Sequence, residues 1–243
     1  MADELLLSRD GNVTRLTLNR PDKANALSAA LVEALLAAVD TAHADGTRLI
    51  VLDGAGKHFC AGFDFTGCEE ASEGDLVLRF IRIETLLQRV HHAPFATLAL
   101  AHGRVFGAGA DLVGACGRRA AAPGTTFRMP GLQFGLVLGT RRLAACVGGT
   151  TARAWLETSA IFDAGAALRA GFLTHSVERE HWPEAIAEAA DAAATLSPQA
   201  AAHLQAHTRA DTREADMAAL VASAAAPGLK DRIRRYRAAP LQK

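Results

Sequence analysis

The chain has 243 residues, half of them apolar, enough to bury one large core or a core with a small appendage. Its 26 basic and 26 acidic residues cancel, so nothing points to a nucleic-acid surface, and no apolar run reaches the about 18 residues of a membrane span, since Asp111 breaks the best candidate. The opening Met1-Ala2-Asp3-Glu4 lacks a signal-peptide pattern, and Cys60, Cys68, Cys116 and Cys146 form neither a Cys-x-x-Cys pair nor a disulfide framework, so a reducing, cytoplasmic setting is expected.

In chain order, Leu5–Ser8 and Val13–Leu18 flank Arg9-Asp10-Gly11-Asn12, whose Asp-Gly is a hairpin turn signal. Leu31, Val32, Leu35, Leu36 and Val39 recur at helical spacing behind Ser28, a suitable N-cap. Arg48–Leu52 reads as a short buried strand, Leu76–Val90 as a second helix, and Phe95–Leu100 as a further strand after Pro94. Strands alternating with helices predict an α/β fold with right-handed crossovers and a mainly parallel sheet. Beyond about residue 140 the composition turns alanine-rich, and Ala185–Leu196, Pro198–His207 and Arg213–Ala225 read as helices. A core over residues 1–180 and a helical C-terminal region over 181–243, packed on a neighbour or on its own core, follow from that shift.

Several familiar sites are absent. Gly54-Ala55-Gly56 and Gly107-Ala108-Gly109 each begin a dinucleotide fingerprint, but Phe59 and Leu112 stand where the third glycine belongs. Gly56-Lys57 is followed by His58, so no phosphate-binding loop forms, and no Gly-x-Ser-x-Gly elbow occurs. The nine histidines are scattered, and no metal site is expected. What remains is a pair of apolar runs that break into small residues: Phe59-Cys60-Ala61-Gly62-Phe63-Asp64-Phe65 and Gly103 through Leu112. Small residues let backbone approach a ligand, and two such bends can aim two main-chain N–H groups at one carbonyl oxygen, the arrangement that stabilises an enolate.

With these runs the chain resembles the crotonase (enoyl-CoA hydratase/isomerase) superfamily over most of its length. Asn19 through Leu27 looks like that family's first signature, Leu52 through Asp64 its second, His102 through Leu112 its third, and Phe162 through Phe172 a later helix and turn. The resemblance implies a ββα-repeat spiral core. It also implies an acyl-CoA thioester as partner, with no metal or redox cofactor beyond the coenzyme A moiety. Its oxyanion donors would be the backbone N–H groups of Phe63 and Ala108, each worth about 3 kcal/mol in the transition state. Lys23, Ala24, Ala61 and Asp64, with Phe65 and Gly107 beside them, fall where the family holds the nucleotide and the pantetheine arm. Lys23 reads either as a point charge for a phosphate or as a solvated loop lysine, and Asp64 either as a ligand group or as a turn acceptor.

The acid–base pattern departs from the family. Hydration there resembles a two-carboxylate task, and the two positions are Asp111, shorter than glutamate by one bond, and Gly131 in Phe127-Arg128-Met129-Pro130-Gly131, which carries no proton. Losing one such group costs about a hundred- to ten-thousand-fold in rate, so ordinary hydratase activity is not expected. Asp111 is either catalytic or a first-turn acid favoured by its helix dipole. Glu69, Glu70, Glu73 and Glu84 are candidates to replace the missing carboxylate. The expected function is therefore lyase or isomerase chemistry through an enolate, as in fatty acid metabolism, with a non-catalytic acyl-CoA binder as the alternative. The resemblance further implies trimers or hexamers in which C-terminal helices cover neighbouring sites, here through Arg232 to Tyr236.

Overall fold

The computed structural model describes residues 3–239. The opening hairpin joins β1 (Leu5–Asp10) to β2 (Val13–Leu18) in antiparallel register from Leu5 opposite Leu18 to Asp10 opposite Val13. Its turn is only Gly11-Asn12, tighter than the four residues read from sequence, because Gly11 takes a left-handed φ of 55°. Ser28 caps α1 (Ala29–Ala42) by accepting the Leu31 N–H at 3.0 Å. β3 (Leu49–Gly54) lies between parallel neighbours and is buried throughout. Next, α2 (Glu73–His91) begins three residues before its apolar stripe, because Ser72 and Asp75 form a polar capping box there.

β4 (Ala96–Ala101) leads into β5 (Arg104–Phe106), α3 (Ala108–Ala115), β6 (Arg118–Ala121) and β7 (Thr126–Arg128). The remaining elements are α4 (Thr140–Val147), α5 (Gly149–Thr158), β8 (Phe162–Asp163), α6 (Ala164–Arg169), β9 (His175–Ser176), α7 (Trp182–Ala194), α8 (Pro198–His207), α9 (Arg213–Ala224) and α10 (Leu229–Ala238). One sheet runs β1-β2-β3-β4-β6-β9, parallel after its first pair, and a second runs β5-β7-β8. This is the expected mixed α/β architecture. On one face of the large sheet, Leu49, Val51, Leu98 and Leu100 pack against Trp182 and Ala189 of α7. The other face, with Leu16, Leu18, Ile50 and Leu52, belongs to a larger core shared with α1, α2 and α3. Among the described residues, no helix is long and apolar enough to cross a membrane.

The last two helices fold back on their own chain. Leu220, Ala224, Leu229 and Ile233 belong to that larger core. Arg232 donates to the Phe134 carbonyl at 2.9 Å, and the Tyr236 and Phe134 rings are 5.1 Å apart. Arg232 to Tyr236 thus lie against the Phe134 segment of their own chain.

Buried charge fixes α9 in place. Arg142 of α4, 5% exposed, forks onto Glu84 of α2 at 2.9 and 2.5 Å and reaches Asp216 of α9 at 3.4 Å. Asp216 also accepts from Arg141 at 2.9 Å and from the Thr212 hydroxyl at 2.7 Å. Breaking such a set by removing one member strands an uncompensated charge. Arg142→Met should therefore lower unfolding free energy by about 3–5 kcal/mol in urea titration at neutral pH. A loss below about 1 kcal/mol would contradict the role given to this cluster.

Candidate active site

Two backbone turns meet at one point, and a glycine in each permits it. In the first, Cys60 is tied to β5, donating to the Arg104 carbonyl at 3.4 Å and accepting the Phe106 N–H at 2.9 Å. The chain then passes through Gly62 at φ 90°, whose carbonyl accepts the Leu27 N–H at 2.7 Å. In the second, Gly107 leaves β5 at φ 51°, donates to the Arg128 carbonyl at 2.7 Å, and starts α3 at Ala108. A side-chain carbon at Gly62 would lie 2.6 Å from the Phe106 carbonyl oxygen and 3.2 Å from the Ala108 nitrogen. A carbon at Gly109 would lie 2.5 Å from the Cys60 carbonyl oxygen. Only glycine lets the turns touch. Phe63 and Ala108 follow the two touching glycine turns, and among the described residues neither backbone N–H has an acceptor. Cys60 is a scaffold group here: its Sγ accepts the Gly62 N–H at 3.4 Å, and burial pushes its thiol up to about 12.

Beside the turns is a cavity of about 100 Å³, lined by Phe63, Ala108, Asp111 and Gly131 and walled by aromatic rings. Phe63 stacks on Phe80 at 4.4 Å, and Phe65 lies 6.4 Å from Tyr236, which closes the cavity from α10. Ala61 and Gly107 line the same space. Its walls carry the polar side chains Asp111, Arg128, Thr140 and Tyr236.

Asp111, 5% exposed on α3, is held well above the ordinary carboxylate range by burial; the Arg142 charge opposes this and Glu84 adds to it. A carbon at Gly139 would sit 1.7 Å from its Oδ1, so the glycine at φ 64° makes room for the carboxyl. Neither that oxygen nor the Thr140 hydroxyl has a partner among the described residues. Burial therefore favours the protonated form of Asp111, which lines the cavity. Gly131 opens the 3-10 turn Gly131–Phe134, where an added carbon would come within 3.0 Å of the Leu136 carbonyl oxygen. The chain has closed over the space that a longer side chain would need.

The other expected residues are distributed unevenly. Ala24, at φ 48°, accepts the Ala61 N–H at 2.9 Å and so braces the first turn, while Lys23 is exposed on the preceding 3-10 turn. The Asp64 carboxylate is occupied locally: it pairs with Arg20 at 2.8 Å and accepts the Thr66 N–H at 2.9 Å, contacts that keep it below its ordinary value against the opposing effect of burial. None of the four replacement glutamates lines the cavity. Glu69 pairs with Arg234 at 2.7 Å, Glu73 accepts from the Lys230 N–H at 3.2 Å, Glu70 is exposed, and Glu84 is held by Arg142. Sequence reasoning overlooked Arg128 and Thr140. A lone cation in the apolar stretch Phe127 to Leu132 was the signal for the first.

With this geometry in view, the comparisons with known proteins are informative. The family model described as enoyl-CoA hydratase/isomerase matches residues 8–226. The solved structure of a Bordetella parapertussis protein bearing that family's name is 52% identical, has a TM-score of 0.96, and is covered over 99% of its length by 98% of this chain. An enoyl-CoA hydratase/isomerase structure from Pseudoalteromonas atlantica has 25% identity and a TM-score of 0.82, with 99% of this chain and 100% of that one covered. Mycobacterium leprae EchA6, which carries the name of an enoyl-CoA hydratase, is 37% identical over 166 residues, 65% of this chain and 65% of its own length. The chain belongs to the enoyl-CoA hydratase/isomerase family, the crotonases.

The state of Asp111 has a measurable sign. Its folded value lies above the ordinary 3.8, so its contribution to stability is complete below about pH 3.8 and is lost as pH rises from there through the folded value. Asp111→Asn lacks that loss. Urea unfolding from about pH 4 to about pH 8 should find the variant gaining stability relative to the native chain as pH rises. A difference constant with pH would contradict a neutral Asp111.

Proposed function

We propose that this protein binds a short acyl-CoA with its thioester oxygen between the N–H groups of Phe63 and Ala108, and stabilises the enolate form of the acyl group. The observation that carries this reading is the pair of unengaged backbone donors held together by the Gly62 contact at the edge of an apolar cavity. Charge that develops on the oxygen meets two preorganised dipoles and the N-terminus of α3, away from competing water. Asp111, its carboxyl raised by burial, is the group placed to give a proton to an enolate carbon, and its carboxylate takes that proton back in the reverse direction. Lys23 meets a phosphate of the nucleotide, and the backbone around Ala24, Ala61, Asp64, Phe65 and Gly107 carries the pantetheine arm. No cofactor beyond coenzyme A enters this chemistry. Assembly as a trimer or hexamer belongs to the same reading.

Hydration is the weakest member of the family's chemistry to assign here. It needs a water held between two carboxylates, and Gly131 supplies none. Double-bond isomerisation is no easier to assign, because it begins with abstraction of a proton and Gly131 takes the place of that base as well. The glycine also favours a second reading, binding without turnover, in which the donors hold an enolate-like ligand and nothing transfers a proton.

Position 108 is the first residue of α3, where proline suits the helix but removes the donor. Ala108→Pro, checked for fold by circular dichroism, should weaken binding of acetoacetyl-CoA, an enolate mimic followed by its near-ultraviolet absorbance, by about a hundredfold. Unchanged binding would remove the oxyanion assignment. The native protein should hydrate crotonyl-CoA at least about a hundredfold below a typical turnover of about 10 per second. Ordinary rates would mean that another group supplies the second carboxylate's role.

A further inference from the structure

The cavity contains a cation that the family chemistry does not use. Arg128 ends β7 at 5% exposure, and its Nε donates to the Ser159 carbonyl and hydroxyl, both at 3.1 Å. Its two terminal nitrogens donate to nothing, and no carboxylate pairs with it, among the described residues. The other arginine buried to the same degree, Arg142, is paired with Glu84 and Asp216. Arg119 likewise places its guanidinium on the carbonyls of Cys116, Gly117, Gly171 and Phe172. The unpartnered terminal nitrogens of Arg128 are not among the fully buried polar atoms, so they reach the space of the cavity, and a guanidinium with no protein anion there is free to take one from a ligand.

The position of Arg128 says what would compensate it. Its carbonyl accepts the Gly107 N–H, so it stands one strand from the oxyanion turn, and it lines the same cavity as Phe63, Ala108 and Asp111. Ser159, held in a left-handed conformation at the end of α5, grips the Nε and leaves the two-nitrogen edge of the fork for a ligand. Tyr236 lies on the cavity wall as well; burial raises its phenol, and the Arg128 charge draws it partly back, so a hydroxyl donor accompanies the cation. Asp111 lines the same cavity but makes no ion pair with Arg128, and Gly131 in the same segment brings no charge, so among the described residues no carboxylate answers the guanidinium.

We infer that Arg128 recognises a carboxylate on the acyl chain, so that the substrates of this site are coenzyme A thioesters of short dicarboxylic acids. The inference rests on the acyl-CoA reading above and names its substrate class. A planar fork fits a carboxylate through two parallel N–H donors. The cavity of about 100 Å³ is smaller than the about 150 Å³ that accepts one benzene ring, which limits the chain to about three to five carbons.

The test compares length-matched pairs by calorimetry on the full chain: malonyl- with propionyl-CoA, succinyl- with butyryl-CoA, and glutaryl- with pentanoyl-CoA. In at least one pair the carboxylated thioester should bind about tenfold tighter, the value of one charge-assisted hydrogen bond. Arg128→Met should erase that preference while leaving the neutral partner's affinity within about threefold, and Arg128→Lys should restore part of it. No preference in any pair of the native protein overturns the inference, and needs no variant to fold. A preference that survives in Arg128→Met overturns it too. Binding of the neutral thioesters with no preference leaves the acyl-CoA reading standing; binding of none of the six removes both.

Discussion

The site depends on one close approach: the backbone at Gly62 lies against the carbonyl of Phe106 and the nitrogen of Ala108, at a distance that no side-chain carbon permits. Each turn alone is an ordinary bend. Pressed together, and pinned by Cys60 to β5 and by Leu27 to the Gly62 carbonyl, they hold the backbone at Phe63 and Ala108 in place. Preorganisation of this kind requires no rearrangement at the moment charge appears, which is why backbone dipoles in a dry site act so strongly. The surrounding sheets and helices serve that contact. β5 carries the second turn, and the pairing of β5 with β7 places Arg128 opposite Phe106.

Buried charge divides into two zones around this point. Deeper in, Glu84, Arg142 and Asp216 neutralise one another and lock α2, α4 and α9 together. Between that cluster and the cavity stands Asp111, buried and left without a direct partner for Oδ1, and burial holds its carboxyl above the ordinary range. On the other wall, Arg128 keeps its charge, because a guanidinium cannot release a proton in a protein. The cavity thus has in its lining one carboxyl raised by burial and one arginine with no carboxylate partner among the described residues. That combination differs from the paired carboxylates of a hydration site. It follows from two local features, the glycine at 131 and the arginine three residues before it.

Much of the architecture was legible because its signals are local. The Asp10-Gly11 turn, the Ser28 cap and the apolar spacing of α1 specify their elements within a few residues. The two glycine turns that touch could be read from runs of small residues, and four ordered motifs carried the family. Side-chain partnerships across long separations could not be read. Nothing in the sequence near Glu84 announces Arg142, 58 residues away, so Glu84 remained a catalytic candidate until its partner was visible. Asp64 resembled a ligand group until Arg20 occupied it. α10 escaped because its charged sequence, Leu229 to Ala238, has only Leu229 and Ile233 buried, too few to mark a period. The return of that helix onto its own chain is a tertiary fact, fixed by Arg232 on Phe134 and by the Tyr236 ring.

A crystal structure of the full chain with butyryl-CoA tests the central claim most directly. The account predicts the thioester oxygen at about 2.7–3.1 Å from both the Phe63 and the Ala108 nitrogens, with the acyl chain among the rings of Phe63, Phe80 and Phe134. An oxygen that contacts neither amide, or a thioester seated in another cavity while the two N–H groups face solvent, would contradict it.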